Sequence, residues 1–428
     1  MRLSKLNIKK INLNDLDKNY VAQDILMKLG ELYQFESGIY GYGNIWNKLQ
    51  RNIENIIIEE LDKADCIQVD FPKLQPKKIW VDSERWNIFT DEKDIMFTLN
   101  NNLGEYGLAP TAEECAALFG ANRLKSYKNL PATYYQIGEK FRKEIRTRGY
   151  LFRPRTFTMM DAYSFDISEE TMHETFKKMH DIYLNIFKRL GINIVPVVSD
   201  GGTMGGRVSE EYQGLTVLGE DTILYDEKNN IGLNKEVLEF EDKETFIKAF
   251  GVSNLENLKE CKAIELGNNF ELGTKYTDAM HLNYIDENGE SKPYYMGCYG
   301  LGVGRILAYI LENNVIRNAN GIKGFSIPYK LAPYKVQIIC SESNKDAAEK
   351  LYKYLMDSNI NTIIDDREDL SIGNRILDVY VLGTPKMIIL GNKFDGINIE
   401  IEDTKTSKKI TVEKNQILEF FNDFNELF

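Results

Sequence analysis

Residues 141–165 of this 428-residue chain have the sequence FRKEIRTRGYLFRPRTFTMMDAYSF, and this stretch decides how the fold is interpreted. The pattern predicts a strand, a basic loop and a second strand. The side chains in it that suit a nucleotide are Arg142, Glu144, Arg153, Arg155 and Phe157. Guanidinium groups bind phosphates, a carboxylate accepts a hydrogen bond from an adenine amino group, and an aromatic ring stacks on the base. On this segment alone, a nucleotide site and a solvated basic hairpin explain the pattern about equally well.

A second segment, residues 296–307, has the sequence MGCYGLGVGRIL. Its glycines let the backbone approach a ligand closely, and Arg305 then stands at the start of a predicted helix beside that ligand. The segment is not the dinucleotide fingerprint, because no strand–helix–strand unit with an acidic residue about 20 positions further on surrounds it. It adds a second phosphate-binding candidate in a distant part of the chain.

The two segments resemble motifs 2 and 3 of the class II aminoacyl-tRNA synthetases, and most closely those of the bacterial prolyl-tRNA synthetases. Further segments resemble this family in the same order along the chain. They are motif 1 in residues 37–72, the PT-x-EE signature in residues 110–114, the Gly-rich loop in residues 199–212, the LGTKY segment in residues 272–276, and residues 331–333 and 365–367 of the anticodon-binding region. The resemblance covers nearly the whole chain.

The resemblance implies an α+β catalytic domain with an antiparallel sheet in residues 1–325, with motif 1 at about 37–72, motif 2 at about 134–165 and motif 3 at about 296–312. A C-terminal α/β anticodon-binding-like domain with a mixed sheet is expected in residues 333–428, where strand and helix patterns alternate. About 40 residues separate positions 223 and 265, which is too few for the editing domain that many bacterial relatives carry. The chain therefore resembles the type that lacks this insertion.

The resemblance also assigns roles to the residues of the adenylation site. Arg142 is expected to bridge the ATP α-phosphate and the amino-acid carboxylate, Arg305 to hold the γ-phosphate, and Glu144 to accept from the adenine amino group. Arg153, Arg155 and Phe157 complete the expected ATP site, with Phe157 stacked on adenine. Glu265 is the expected Mg²⁺ ligand. For each arginine the ordinary alternative is a surface ion pair, which contributes little.

The same resemblance predicts an amino-acid pocket. Thr111 and Glu113 are expected to bind the proline nitrogen, because a secondary ammonium has two N–H donors that a hydroxyl and a carboxylate can satisfy. Phe270 and Cys298 are expected to form the apolar wall for the ring. Phe270 is equally compatible with a plain core position, and Cys298 with a small buried hydrophobe.

Composition limits the function classes. A net charge of −12 argues against a non-specific nucleic-acid binder but permits local contacts with tRNA. The five cysteines are scattered without a CxxC pair, so neither zinc nor disulfides are expected. With only three histidines, histidine-based hydrolysis is disfavoured. No apolar run is long enough for a membrane span and the N-terminus does not resemble a secretory signal, so we expect a cytoplasmic protein without membrane contacts.

The expected activity is that of a proline–tRNA ligase that uses ATP and Mg²⁺, binds proline and a proline-specific tRNA, and forms a homodimer through motif 1. Four positions depart from the family pattern near the predicted pockets, namely Thr156, Met160, Glu210 and Asn268. Two alternatives stay open. One is a paralogue that activates another small amino acid or charges an acceptor other than tRNA, and the other is a non-catalytic tRNA-binding homologue.

Overall fold

A computed structural model of the protein describes residues 1–202, 204, 206, 208–252, 255 and 258–426, with side chains up to residue 422. The chain divides into two compact units. The central unit contains residues 37–39 and 54–306, and the terminal unit contains residues 1–36, 40–53 and 307–428. The predicted boundary between domains of residues 1–325 and 333–428 stays a prediction.

The described residues form strands that we number in chain order. They are β1 (Leu32–Glu36), β2 (Ile39–Tyr42), β3 (Ile67–Gln68), β4 (Leu74–Pro76), β5 (Thr98–Asn101), β6 (Gly104–Leu108), β7 (Ala132–Phe141), β8 (Thr156–Asp166), β9 (Ile194–Asp200), β10 (Val208–Leu215), β11 (Asp221–Asp226), β12 (Ile231–Asn234), β13 (Lys259–Gly273), β14 (Asn283–Ile285), β15 (Ser291–Pro293), β16 (Tyr295–Gly302), β17 (Val315–Asn318), β18 (Gly321–Phe325), β19 (Val336–Cys340), β20 (Thr362–Ile364), β21 (Lys386–Leu390), β22 (Asn398–Asp403) and β23 (Lys409–Glu413).

The α-helices are numbered in the same way. They are α1 (Val21–Leu29), α2 (Asn44–Lys63), α3 (Lys77–Asp82), α4 (Glu113–Arg123), α5 (Glu169–Leu190), α6 (Lys243–Phe250), α7 (Lys275–Ala279), α8 (Val303–Glu312), α9 (Lys345–Asp357), α10 (Ile372–Leu382) and α11 (Ile417–Glu426). Among the residues listed above as described, no helix has the length and apolarity that crossing a membrane requires.

The central unit is built on a nine-stranded sheet in the order β10-β9-β12-β11-β13-β16-β8-β7-β3. Its strand pairs are antiparallel except β9–β12 and β3–β7, which are parallel. This confirms the predicted α+β class with an antiparallel sheet. The interval that was too short for an editing domain supplies β11, β12 and α6, so it extends the sheet.

The predicted motif 2 hairpin is formed by β7 and β8, which pair without a register shift from Ala132↔Phe165 to Phe141↔Thr156. The first four residues of β8 are half-buried, whereas the rest of the strand is buried. Helix α5 packs against β8, β13 and β16, and the less buried start of β8 is at the loop end of the hairpin.

Helix α5 begins at a capping box, as its sequence predicts. The Ser168 hydroxyl accepts from the Thr171 backbone N–H at 3.2 Å, and the Thr171 hydroxyl accepts from the Ser168 N–H at 3.1 Å. A cap of this kind stabilises a helix by about 1 kcal/mol. The helix ends at Gly191, whose φ of 72° is the left-handed conformation that glycine adopts at low cost.

Helix α2 lies within the predicted motif 1. Its buried face consists of Ile45, Leu49, Ile53, Ile57 and Leu61, while Ile56 is half-buried. After the helix, only Ile67 and Gln68 form a strand with β7. Beyond it the Phe71 N–H is satisfied by a side chain, the Gln136 Oε1 at 2.8 Å. In the expected Gly-rich loop, Thr203, Gly205 and Arg207 lie outside the described residues.

The terminal unit contains a five-stranded sheet in the order β20-β19-β21-β22-β23. Strand β19 runs parallel to β20 and β21, and the remaining pairs are antiparallel. The predicted C-terminal α/β fold with a mixed sheet is therefore confirmed.

Candidate adenylation site

The central unit contains two adjoining cavities at the loop end of the motif 2 hairpin. We call them the narrow cavity, of about 60 Å³, and the wide cavity, of about 740 Å³. They adjoin, because several residues line both. These shared residues are Arg142, Glu144, Arg153, Met159, Asn268 and Gly300.

Arg305 lines the narrow cavity from the first turn of α8. Its guanidinium donates to two backbone carbonyls, from Nη1 to Glu265 at 2.7 Å and from Nε to Phe152 at 2.9 Å. These bonds fix the direction of the side chain before any ligand arrives, which lowers the ordering cost of binding.

Arg142 lines both cavities and follows directly after β7. Its Nε donates to the Pro110 carbonyl at 3.3 Å, and its guanidinium lies 5.2 Å from the centre of the Phe157 ring. Burial lowers the pKa of Arg142, and the nearby Arg305 lowers it further. The group stays charged, because an arginine is not deprotonated in proteins. The structure thus brings two cationic side chains from distant segments to one cavity.

The other predicted ATP residues of the hairpin have different surroundings. Glu144 lines both cavities, but its Oε2 already accepts from Arg153 Nε at 2.7 Å. Arg153 also donates to Glu220 at 3.2 Å. Arg155 donates to the Glu144 backbone oxygen at 3.2 Å and is absent from the described residues that line the two cavities. Its contact supports the loop backbone.

Glu265 lines the narrow cavity with both carboxylate oxygens near donors. Oε1 accepts from Asn268 Nδ2 at 2.6 Å, and Oε2 lies 3.4 Å from Arg305 Nη1. Within the described part of the chain, no group of three or more His, Cys, Asp or Glu side chains is placed to hold a metal ion. This donor set still fits Mg²⁺, which proteins commonly hold through one or two carboxylates together with substrate phosphates.

Gly300 lies where the two cavities meet. A Cβ at this position would stand 2.9 Å from the Asn268 Oδ1 and 3.7 Å from the Met159 Sδ. Any larger residue here would therefore require the Asn268 amide to shift, which favours a glycine at this position of motif 3.

The wide cavity contains three of the predicted amino-acid-binding residues, Thr111, Phe270 and Cys298. Glu113 is fully buried and is not among the described residues that line either cavity. The Thr111 hydroxyl contacts the two Glu113 carboxylate oxygens at 2.7 and 2.8 Å, and the Cys298 thiol donates to Oε1 at 3.2 Å. Glu113 thus lies directly behind the cavity wall.

Two side chains of this region were missed by the sequence analysis. Met204 lines the wide cavity from the loop between β9 and β10. Arg85, which follows α3, is buried against Glu113 with its Nη1 3.0 Å from Oε2. No sequence signal distinguished Arg85 from a surface arginine, because the segment around it is rich in charged residues.

The four departures from the family pattern lie in different places. Asn268 lines both cavities, whereas Thr156, Met160 and Glu210 are not among the described lining residues. Met160 is fully buried, next along the strand to Met159, which lines both cavities. Glu210 accepts from His180 across 2.7 Å and from the Tyr212 hydroxyl. Only one of the four therefore alters the cavity surface.

The His180–Glu210 pair predicts a pH dependence of stability. The hydrogen bond with Glu210 raises the pKa of His180 above its usual value. Because the pKa of His180 is higher in the folded than in the unfolded protein, the pair stabilises the fold fully below the unfolded-state pKa of about 6.5. This stabilisation is lost as the pH rises through the folded-state pKa. Between pH 6 and 8 the Tm of the unaltered protein should fall by about 1–3 °C more than that of His180→Gln.

Thermal melts at both pH values measure this effect, and His173→Gln is the matched control on the same helix. His173 is 54% exposed and contacts Glu271 at 2.8 Å. If His180→Gln keeps the pH dependence of the unaltered protein, the pair does not stabilise the fold in this way.

Comparison with known proteins places these features in a family. Residues 97–314 match the family model for the tRNA synthetase class II core domain (G, H, P, S and T), and residues 335–423 match the model for an anticodon binding domain. The proline–tRNA ligase of Rickettsia bellii is 33% identical over 99% of this chain and 100% of its own length. That of Sulfurimonas denitrificans is 34% identical over 97% of this chain and 98% of its own.

A solved structure shows the same fold. The prolyl-tRNA synthetase from Cryptosporidium parvum in complex with L-proline and AMP superposes with a TM-score of 0.74 and 15% identity, over 98% of this chain and 78% of that one. Together with the two matched domain models and the full-length relatives, this means that the chain belongs to the class II aminoacyl-tRNA synthetases and, within them, to the proline–tRNA ligase family.

Proposed function

We propose that this protein is a proline–tRNA ligase that activates proline with ATP to prolyl-adenylate and then transfers the prolyl group to tRNA. The observation that carries the proposal is the position of Arg142. It lines the narrow cavity together with Arg305 and the wide cavity together with Thr111 and Cys298. One guanidinium is therefore available to both substrates at the point where they must react.

In the proposed reaction the proline carboxylate attacks the α-phosphorus of ATP, and pyrophosphate leaves. The nucleophile is already ionised, so no general base is needed; positioning and positive charge supply the catalysis. Arg142 aligns the carboxylate with the α-phosphate and offsets the negative charge of the transition state. Arg305 binds the far end of the triphosphate, and Phe157 offers a ring face to the adenine.

Glu144 and Arg153 form the outer wall of the proposed nucleotide site. The Glu144 carboxylate pairs with Arg153, so accepting a bond from the adenine amino group requires only a further lone pair on the same carboxylate. Glu265 is the residue that would hold Mg²⁺. The ion would neutralise charge on the phosphates, and Glu265 suits it because Mg²⁺ prefers oxygen ligands.

Proline specificity is proposed to depend on Glu113 behind the Thr111–Cys298 wall. The Thr111 hydroxyl, which donates to Glu113, keeps lone pairs that can accept from a substrate ammonium in the cavity. Phe270 and Cys298 then face the proline ring. Arg85 and the Thr111 hydroxyl hold the pKa of Glu113 below its usual value against the opposing effect of burial. The carboxylate is thus charged and attracts a cationic amine.

Glu113→Gln should raise the KM for proline by about 30–100-fold, because it removes a charge-assisted interaction of about 2–3 kcal/mol. The KM for ATP should change by less than about threefold, since Glu113 lies away from the narrow cavity. Initial rates of ATP–pyrophosphate exchange at varied proline and ATP measure both constants.

The control is Glu114→Gln, a change at the neighbouring residue, which is also fully buried. Glu114 is not among the described residues that line the cavities, and a glutamine oxygen can still accept from Ser83 and Arg85, so the amide should replace it with little effect on proline. Equal losses in the two variants would refute the assignment of the amine to Glu113.

The function itself is tested by ATP–pyrophosphate exchange with each of the twenty amino acids, followed by charging of a proline-specific tRNA. Exchange that depends on proline, followed by proline attached to tRNA, is the expected result. Exchange with another amino acid would overturn the choice of substrate, and no exchange with any amino acid would overturn the proposal of catalysis.

We further propose that residues 1–325 act as the catalytic domain and residues 333–428 as the tRNA anticodon-binding domain of a cytoplasmic homodimer. The matched domain models fall within these two ranges. In support of an interface at motif 1, β3 forms a free edge of the nine-stranded sheet, and its Ile67 is 50% exposed. An exposed apolar residue on a free strand edge favours pairing with another chain. Sedimentation equilibrium tests the oligomeric state.

A further inference from the structure

Arg85 forms a buried ionic cluster behind the wide cavity. It is 1% exposed, and its Nη1 lies 3.0 Å from Glu113 Oε2 and 2.9 Å from Glu114 Oε1. Aromatic rings surround its guanidinium at distances of 4.5 to 5.1 Å. These rings belong to Trp80, Phe89 and Tyr276. A planar cation held between ring faces and two carboxylates has little freedom to move.

The cluster has one cationic group and two carboxyl groups. One guanidinium faces two consecutive carboxyl groups that are both fully buried, and a buried ion is tolerated only with a partner. Burial and the charge of Glu113 raise the pKa of Glu114, whereas Arg85 holds that of Glu113 down. Ser83 donates to Glu114 Oε1 at 2.8 Å and anchors this second carboxyl. Arg85 is thus the cationic partner that supports a charged Glu113 behind the cavity wall.

Arg85 reaches the cavity wall at a second point. Its Nη2 contacts the Met204 sulfur at 3.7 Å, and Met204 lines the wide cavity. The Met204 backbone oxygen also accepts from the Tyr276 hydroxyl at 3.0 Å and from Lys275 Nζ at 3.1 Å. The same guanidinium therefore supports two parts of the wall, Met204 directly and the Thr111–Cys298 surface through Glu113.

From this geometry we infer that Arg85 is a positioning residue for the amino-acid substrate, which fixes the charge and direction of Glu113 so that the pocket selects a ligand with a cationic amine. The inference rests on the proposed function. Arg85 does not touch the substrate, because Glu113 and Met204 lie between it and the cavity. Its effect should therefore be on recognition of the amine and not on ATP.

The test compares two ligands in the full-length protein. Proline is measured by its KM in ATP–pyrophosphate exchange, and tetrahydrofuran-2-carboxylate is measured as an inhibitor of the same reaction. The second compound keeps the ring and the carboxylate but has an ether oxygen in place of the amine, so it lacks the group that Glu113 recognises. A general distortion of the pocket should weaken both ligands, whereas loss of the Glu113 charge should weaken proline alone.

We expect Arg85→Gln to raise the KM for proline by about 30-fold or more, with the inhibition constant of the ether and the KM for ATP within about threefold of the unaltered protein. Arg85→Lys keeps the positive charge but loses the planar guanidinium that donates to several partners, so it should raise the KM for proline by about 5–10-fold. The matched control is Arg189→Gln, because Arg189 also pairs with two consecutive glutamates, Glu59 and Glu60, but is 34% exposed and lines neither cavity.

Equal weakening of proline and the ether, or an unchanged KM for proline, would overturn the inference. If Arg85→Gln does not yield folded protein, Arg85→Lys decides by the same comparison of the two ligands. Exchange measured with the unaltered protein distinguishes failure of the proposed function from failure of the inference about Arg85. If the unaltered protein shows no proline-dependent exchange, the proposed function fails; if it does, only the variants bear on Arg85.

Discussion

Arg142→Ala should lower proline-dependent ATP–pyrophosphate exchange by about 10²–10⁴-fold while the protein stays folded. Arg142 lines both cavities, as do Glu144 and Arg153, but those two side chains pair with each other, so we expect Arg142 to act on both the α-phosphate and the amino-acid carboxylate. The loss should therefore appear mainly in kcat, where charge develops in the transition state.

The structural cost of this change should be small. Apart from its backbone, Arg142 makes a 3.3 Å bond to the Pro110 carbonyl and a contact with the Phe157 ring. Circular dichroism and Tm therefore serve as the folding check. Arg123→Ala is the control for removal of an arginine, since Arg123 is exposed at the end of α4 and stacks on Phe119. Retained exchange in Arg142→Ala would refute the assigned role and with it the proposed mechanism.

Arg305→Ala is expected to lower exchange by about 10²–10³-fold, with a higher KM for ATP and a smaller change in the KM for proline. Arg305 lines the narrow cavity and not the wide one, so we expect its charge to act on the triphosphate and not on the amino acid. Initial rates at varied ATP, with proline held at saturation, measure the effect.

This second change also removes two bonds to carbonyl groups of Phe152 and Glu265, which connect the motif 2 loop to β13. Arg305→Lys distinguishes the effect of the positive charge from that of the two hydrogen bonds, because lysine keeps the charge but cannot donate to both carbonyls in the same geometry. Partial recovery of the KM for ATP in Arg305→Lys supports a charge effect on phosphate. A rise in the KM for proline as large as that for ATP would contradict the assignment.

Arg142 and Arg305 differ from the other charged residues of the predicted ATP site in the partners that their side chains already have. Glu144 and Arg153 pair with each other, and Arg155 binds loop backbone. The ion pair is 21% exposed on the glutamate side and 46% on the arginine side, so it is easily rearranged. We therefore expect smaller kinetic effects from these three positions than from Arg142 or Arg305.

Much of this protein was predictable from local sequence. The motif 2 hairpin, predicted as two strands around a basic loop, follows from patterns that act over a few residues. The resemblance of the motif segments also pointed to Arg142, Arg305, Thr111 and Cys298, and the structure brings all four to the two adjoining cavities. The alternation of strands and helices near the C-terminus predicted a mixed sheet, which is also present.

Other properties were decided only by tertiary structure. Glu113 and Glu114 are consecutive and chemically identical, yet Arg85 and Thr111 give the first a lowered pKa and burial gives the second a raised one. Arg153 and Arg155 are two positions apart, and only Arg153 lines the cavities. Arg85 lies in a charged segment and is nevertheless buried among aromatic rings. The physical reason is that periodicity reports which face of an element is apolar, whereas the charge and burial of a polar group depend on neighbours from distant segments that only the folded chain brings together.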